Sequence, residues 1–183
     1  MSQLKVNSII PVAGVPTGGG GGIIQIKDTI KTSSFSTTTT GSIIDVTGVS
    51  VSITPTSSSS KIFVMCSGEY GNDNSDSFAH LFISRTISGG SVNDDIFIGD
   101  ASGSCSRASM NATLRNGGGS SNNVSRRFAC QFIDSPSTTS AVEYKLRIRV
   151  RQGTPATIGR SADTSDNLRV ACPTVITVME VSA

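Results

Sequence analysis

The sequence predicts an all-β protein: an antiparallel jelly roll or β-sandwich of about 8–10 strands, preceded by an extended N-terminal segment. Three observations carry this prediction. Serine, threonine, glycine and asparagine supply 78 of the 183 residues, while charged residues make up only 15%. That balance lacks the Ala, Leu, Glu and Lys of helical proteins and suits short strands joined by tight turns. Apolar segments recur between turn signals every 8–15 residues, the spacing of sandwiches and jelly rolls. Finally, Val142–Arg151 alternates strictly, with Tyr144, Leu146, Ile148 and Val150 on one face and Lys145, Arg147, Arg149 and Arg151 on the other, the period of a half-buried strand.

Two regions follow from the pattern. Residues 1–22 hold a short strand-like stretch, Ser2–Ile10, then Pro11–Pro16, which the prolines keep extended. The run Gly18, Gly19, Gly20, Gly21 and Gly22 reads as a flexible hinge. The body spans 23–183. Ile24, Ile26 and Thr29-Ile30 suggest its first strand, and Ser33–Thr40 is a polar stretch around Phe35. Ile43–Val46 with Val49, Val51 and Ile53 form strand material that ends at Pro55, and Ser57–Ser60 form a turn. Lys61–Tyr70 is the strongest buried strand. It has no polar position from Ile62 to Cys66, the pattern of a strand covered on both faces. Further strands are expected at Ser77–Ile87, Asp95–Ile98, Ser109–Leu114, Ser125–Ile133, Val142–Arg151 and Thr174–Val181. Polar loops are expected at Gly71–Ser77, Ser88–Asp94, Arg115–Asn123 and Gln152–Asn167.

Several function classes lose support. The net charge of +2 is too mild to argue for nucleic acid, and with no Trp and two Tyr there is little to stack on bases. No apolar run reaches the roughly 18–20 residues of a membrane helix, so membrane insertion is not expected. The stretch Ile9–Ala13 is short and broken by proline, a poor secretory signal, which points to synthesis in a cytoplasm. Cys66, Cys105, Cys130 and Cys172 are too widely spaced for a close-paired zinc pattern and are expected to be buried free thiols.

Catalytic motifs are missing. The single histidine, His80, lies in an alternating strand segment, with no Gly-x-Ser-x-Gly elbow and no His-Glu-x-x-His site in the chain. The glycine clusters at 18–22 and 117–119 lack the Lys-Ser/Thr of a phosphate loop. Asn72–Asp76 resembles the start of a calcium loop, but Ile83 stands where the closing glutamate belongs. Asp94, Asp95 and Asp100, and likewise Asp163 and Asp166, read as solvated turns. Neither enzyme activity nor any cofactor or metal is expected. A polysaccharide-cleaving spike would need paired carboxylates in a groove, and the acidic pairs Asp73/Asp76 and Asp94/Asp95 sit in short turns.

The basic row Lys145, Arg147, Arg149 and Arg151 should stand outward as a comb with a tooth every ~6.6–6.8 Å. Three readings stay open for it: a solvated face that discourages foreign strands, a partner for acidic residues of a neighbouring subunit or capsid, or a contact for anionic polysaccharide.

The opening Met1–Val12, the glycine joint, Ser50–Pro55, Asp134-Ser135-Pro136 with Thr138–Ser140, and the closing Ile176–Val181 together resemble small virion structural proteins of marine and freshwater tailed bacteriophages. These are the cyanophage-type, tail-fibre-like proteins. The body also resembles the trimeric jelly rolls of C1q-like and tumour-necrosis-factor-like domains, with Lys61–Tyr70 and Thr174–Val181 as inner strands. The resemblance implies a non-enzymatic homotrimer found in the virion. Leu4, Val6, Ile9, Ile10 and Val12, within residues 2–16, would anchor it to another virion protein, and the body would contact host glycan or an outer-membrane protein. The alternative is a head decoration or cement protein.

Overall fold

A computed structural model of the chain describes residues 22–72, 76–115, 124–153, 155–162 and 170–182. Leu4, Val6, Ile9, Ile10 and Val12, expected to anchor the chain, glycines 18–21, expected to form a hinge, the 117–119 cluster, Asp73, Asp163 and Asp166 lie outside the described residues.

Two antiparallel sheets face each other, and no helix occurs among the described residues. In the first sheet, β4 (Lys61–Asn72) has β8 (Val124–Asp134) along one edge. Its other edge takes β11 (Thr174–Val181) and then the short β10 (Ala156–Ile158). Beyond these lie β1 (Ile23–Lys31), paired with β11, and β2 (Phe35–Thr37), paired with β10. The second sheet runs β3 (Ile43–Ile53), β9 (Val142–Gln152), β5 (Asp76–Ile87), β6 (Met110–Asn111), with β7 (Leu114–Arg115) also on β5. The chain crosses between sheets at β2–β3, β3–β4, β4–β5, β7–β8, β8–β9 and β9–β10. This is a jelly-roll sandwich, in which each sheet buries one face against the other.

The inward positions of the alternating strands form one core. Val64, Cys66 and Tyr70 of β4, Leu81 and Ile83 of β5, Tyr144, Leu146 and Ile148 of β9, and Ile176 and Val178 of β11 are all almost fully buried. Beside them, Gly71 leaves room that no side chain could use. A Cβ there would meet the Arg160 carbonyl oxygen at 2.5 Å and the Ser161 Cα at 2.8 Å. Gly71→Ala is therefore expected to cost about 2 kcal/mol, a drop of roughly 4–8 °C in Tm by calorimetry for a domain of this size. An unchanged Tm would show that the 160–161 turn yields freely.

Two carboxylates fasten the sandwich internally. Asp134, at the end of β8, accepts Arg85 Nη1 on both oxygens at 2.8 Å and the Tyr144 hydroxyl at 2.6 Å, which links the first sheet to β5 and β9 of the second. Glu180 on β11 is fully buried. It accepts Gln25 Nε2 at 2.6 Å, and both the Thr56 backbone N–H and the Thr56 hydroxyl at 2.7 Å.

Several expectations change. Asp95–Ile98 is not a strand: the Asn93 side chain accepts the Asp95 N–H at 2.9 Å and turns the chain, and Phe97 leaves to stack on Phe132 with centroids 4.3 Å apart. Ser109–Leu114 yields only the two-residue strands β6 and β7. The loop expected at 152–167 contains β10, whose three residues are fully buried between β4 and β2. Gly71 and Asn72 belong to β4 rather than to a loop, and the Asn72 amide donates to the Gly153 carbonyl at 2.8 Å. The thiols also differ from one another. Cys66 is buried, and burial pushes its pKa far up; Cys130 is half-buried and pushed up to about 11 by burial, with its backbone contact to Cys66 pulling the other way; Cys105 is exposed.

Candidate functional site

The outer faces of the two sheets differ in chemistry. On the first sheet the residues that point away from the core form rows across four strands. One row runs Ile133, Phe63, Met179, Ile26; the next Gln131, Met65, Thr177, Asp28; the third Ala129, Ser67, Val175, Ile30. Strands lie ~4.8 Å apart, so each row spans on the order of 14 Å. Of these twelve side chains only Asp28 is charged. Ile26, Ile30 and Ile133 are 54%, 59% and 64% exposed. The strand expected to be covered on both faces, Ile62–Cys66, is thus covered on one: Ile62, Val64 and Cys66 are buried, while Phe63 and Met65 are half-exposed in this patch. Two shallow grooves of about 400 and 360 Å³ open on the same face, the first bordered by Arg127, Cys172 and Pro173, the second by Met65, Gln131 and Val175.

Monomers rarely expose a contiguous apolar patch beyond roughly 300–600 Å². Ile26, Ile30 and Ile133 are each more than half exposed on this face, and Phe63, Met65, Val175 and Met179 lie among them.

The second sheet carries the basic row, and here the comb is not uniformly outward. Lys145, Arg147 and Arg149 are half-buried and only Arg151 is exposed. Arg147 is committed within the chain. Its Nη1 donates to both oxygens of Asp94 at 2.8 and 2.7 Å, its Nε to Asp45 at 2.7 Å and its Nη2 to the Ile43 carbonyl at 3.0 Å. Lys145 lies 3.3 Å from Asp45 and 3.0 Å from Glu143. Asp94 also accepts the Ser84 hydroxyl, so it is an anchor for the 88–109 loop rather than a solvated turn residue. Acid partners for the basic row therefore come from this chain for Lys145 and Arg147.

Arg149 and Arg151 differ. Neither has an acid partner among the described residues. The Arg149 guanidinium sits 5.4 Å above the Phe82 ring, its Nη2 is 3.4 Å from His80 Nδ1, and its buried Nε has no hydrogen-bond partner. Burial lowers the pKa of His80, and the positive charges of Arg149 and Arg151 lower it further. Among the described residues no group of three His, Cys, Asp or Glu side chains comes together to hold a metal ion.

No protein-family model matches the chain. No curated protein matches it. The chain is similar to a solved structure described as the structure of infectious bursal disease virus Gx strain, with a TM-score of 0.43 and 10% sequence identity. That match covers 94% of this chain and 44% of the other, so the chain spans less than half the length of the protein it resembles.

Proposed function

We propose that this chain is a non-enzymatic virion structural protein. It assembles as a homotrimer through the outer face of its first sheet, and its N-terminal segment docks onto another virion protein. The observation that carries the proposal is the apolar row Ile133, Phe63, Met179 and Ile26. A chain of 36% apolar residues that leaves such a face in water gains most by burying it against copies of itself, and closed symmetry lets identical patches satisfy one another. The resemblance to tail-fibre-like phage proteins supplies the setting: assembly in a host cytoplasm, attachment through residues 2–16, a glycine joint that lets the body reorient, and avidity for the host surface from repeated weak contacts.

A second reading, a head decoration or cement protein, is favoured by the breadth of the same face, because a broad apolar sheet can lie flat against a shell. Antibody labelling of intact particles separates the two: signal at the tail supports the fibre, signal over the head the decoration.

The trimer itself is tested by native mass, with and without residues 1–22. Three copies of the 18.9 kDa chain are expected in both forms. Ile26→Asp with Ile133→Asp, which places charge at both ends of the apolar row, should shift the mass to that of a monomer without loss of β-sheet signal. A wild type that is monomeric at tens of micromolar would remove self-assembly from the proposal.

A further inference from the structure

The geometry points to an anion-binding site at one end of the second sheet, formed by Arg149, Arg151 and His80, that takes the sulfate or carboxylate group of an acidic polysaccharide. It deepens the adhesin reading and rests on it for its biological setting, while the site itself is defined by this chain alone.

The argument begins with the division of the basic row. Lys145 and Arg147 are neutralised by Asp45, Glu143 and Asp94 and have little left to offer an anion. Arg149 and Arg151 stand two residues apart, with Arg151 at the bulge where β9 slips one residue against β5, and neither has an acid partner among the described residues. His80 is directly opposite Arg149 on β5, and Arg151 lies near enough for its charge to act on the imidazole. Phe82 beneath the Arg149 guanidinium holds it flat through its ring face. The planar fork is thereby fixed before any ligand arrives, which lowers the entropy lost on binding. Arg149 remains partly exposed although its Nε is enclosed, so the outer part of the fork is what sulfate or carboxylate oxygens can meet.

Histidine completes the site. A guanidinium can only donate, so its approach to Nδ1 places the imidazole proton on Nε2, leaving a neutral donor beside two cations. An incoming anion would offset the charges that now depress the His80 pKa, and the imidazole would take up a proton more readily. The ligand class follows from what surrounds the site. Both tyrosines, Tyr70 and Tyr144, are fully buried in the core, and Phe82 is 3% exposed under Arg149. Phe78, two residues before His80 on the same face of β5, is half-exposed, and a single ring is less than the run of stacking platforms that successive bases of a single-stranded nucleic acid would use. A saccharide needs only the charge-assisted hydrogen bonds that are present.

His80 is the chain's only histidine, so it serves as its own reporter. The full chain, labelled at histidine, is titrated by NMR in about 0.15 M salt, where loose surface attraction is screened, with dextran sulfate, neutral dextran and single-stranded DNA. Dextran sulfate is expected to raise the His80 pKa by at least half a unit and neutral dextran to leave it unchanged. Arg151→Gln, an exposed position that does not threaten the fold, should weaken dextran sulfate binding about tenfold. Lys145→Gln should alter it less than twofold. Absence of a His80 response to dextran sulfate would overturn the site, and so would equal losses in Arg151→Gln and Lys145→Gln, which would mean a diffuse basic face. An equally strong response to DNA at matched charge would overturn the saccharide assignment. Particle labelling reads the virion setting separately, so either idea can fail while the other stands.

Discussion

Replacing Asp134 with alanine is expected to destabilise the protein by about 3–5 kcal/mol, the range measured when one member of a buried ion pair is removed. Asp134 is 8% exposed, and its two oxygens are the common acceptor for groups on two strands of the opposite sheet. The loss would leave the mostly enclosed Arg85 guanidinium and the buried Tyr144 hydroxyl facing each other across an emptied site. Each such orphan costs more than the bond itself contributed, because desolvation is no longer compensated. The graded variants separate the causes. Tyr144→Phe removes one neutral donor and should cost about 1 kcal/mol. Arg85→Met together with Asp134→Leu removes charge from both sides while keeping volume, and should recover much of the loss. The measurement is the urea midpoint at fixed protein concentration, with the slope m checked for constancy. A shift of less than about 1 kcal/mol in Asp134→Ala would mean that water enters and solvates Arg85, and that the two sheets are held by apolar packing alone.

How much of this could be read from the residues depends on the range of the interaction. Alternation is local, so Ile43–Ile53, Lys61–Tyr70, Val142–Arg151 and Thr174–Val181 were legible, and they supply most of the core. The short β10 was hidden because its three residues are strand only by virtue of neighbours far away in sequence, β4 and β2. Asp95–Ile98 misled for the converse reason: an Asx turn and the Phe97–Phe132 stack outweigh its apolar character. The uninterrupted run Ile62–Cys66 carried a subtler ambiguity. An apolar pattern reports which side chains should leave water, not which molecule covers them, and the half-exposed Phe63 and Met65 turn a strand expected to be buried twice into part of a candidate interface. The basic row was found by its period, yet its division into neutralised and open halves was not. The acids that quench Arg147 stand 53 and 102 positions away, and only the fold brings them to it.

Acid is expected to loosen the protein through Glu180. Burial alone would raise its pKa, but the hydrogen bonds from Gln25 and Thr56 favour the charged form more strongly and hold it at about 2, against an ordinary value of 4.5. A carboxyl group that binds protons less tightly when folded stabilises the folded state wherever it is ionised in both states, that is, above about pH 4.5. The contribution falls as pH drops from about 4.5 toward 2, because the unfolded chain takes up the proton first. At ~1.4 kcal/mol per unit the stake is on the order of 3 kcal/mol. Unlike Asp134, Glu180 has no cationic partner in this network; neutral donors on β1 and in the β3–β4 turn are tied together by one negative charge. Glu180→Gln keeps the shape but turns part of the acceptor into a donor facing the Thr56 N–H or the Gln25 amide. It should therefore lose stability at pH 7 and flatten the acid limb between pH 4.5 and 2. Urea midpoints measured across that range in both proteins test this. Parallel curves would assign the acid sensitivity to other carboxylates and leave Glu180 a purely geometric clamp between β11, β1 and the turn at Thr56.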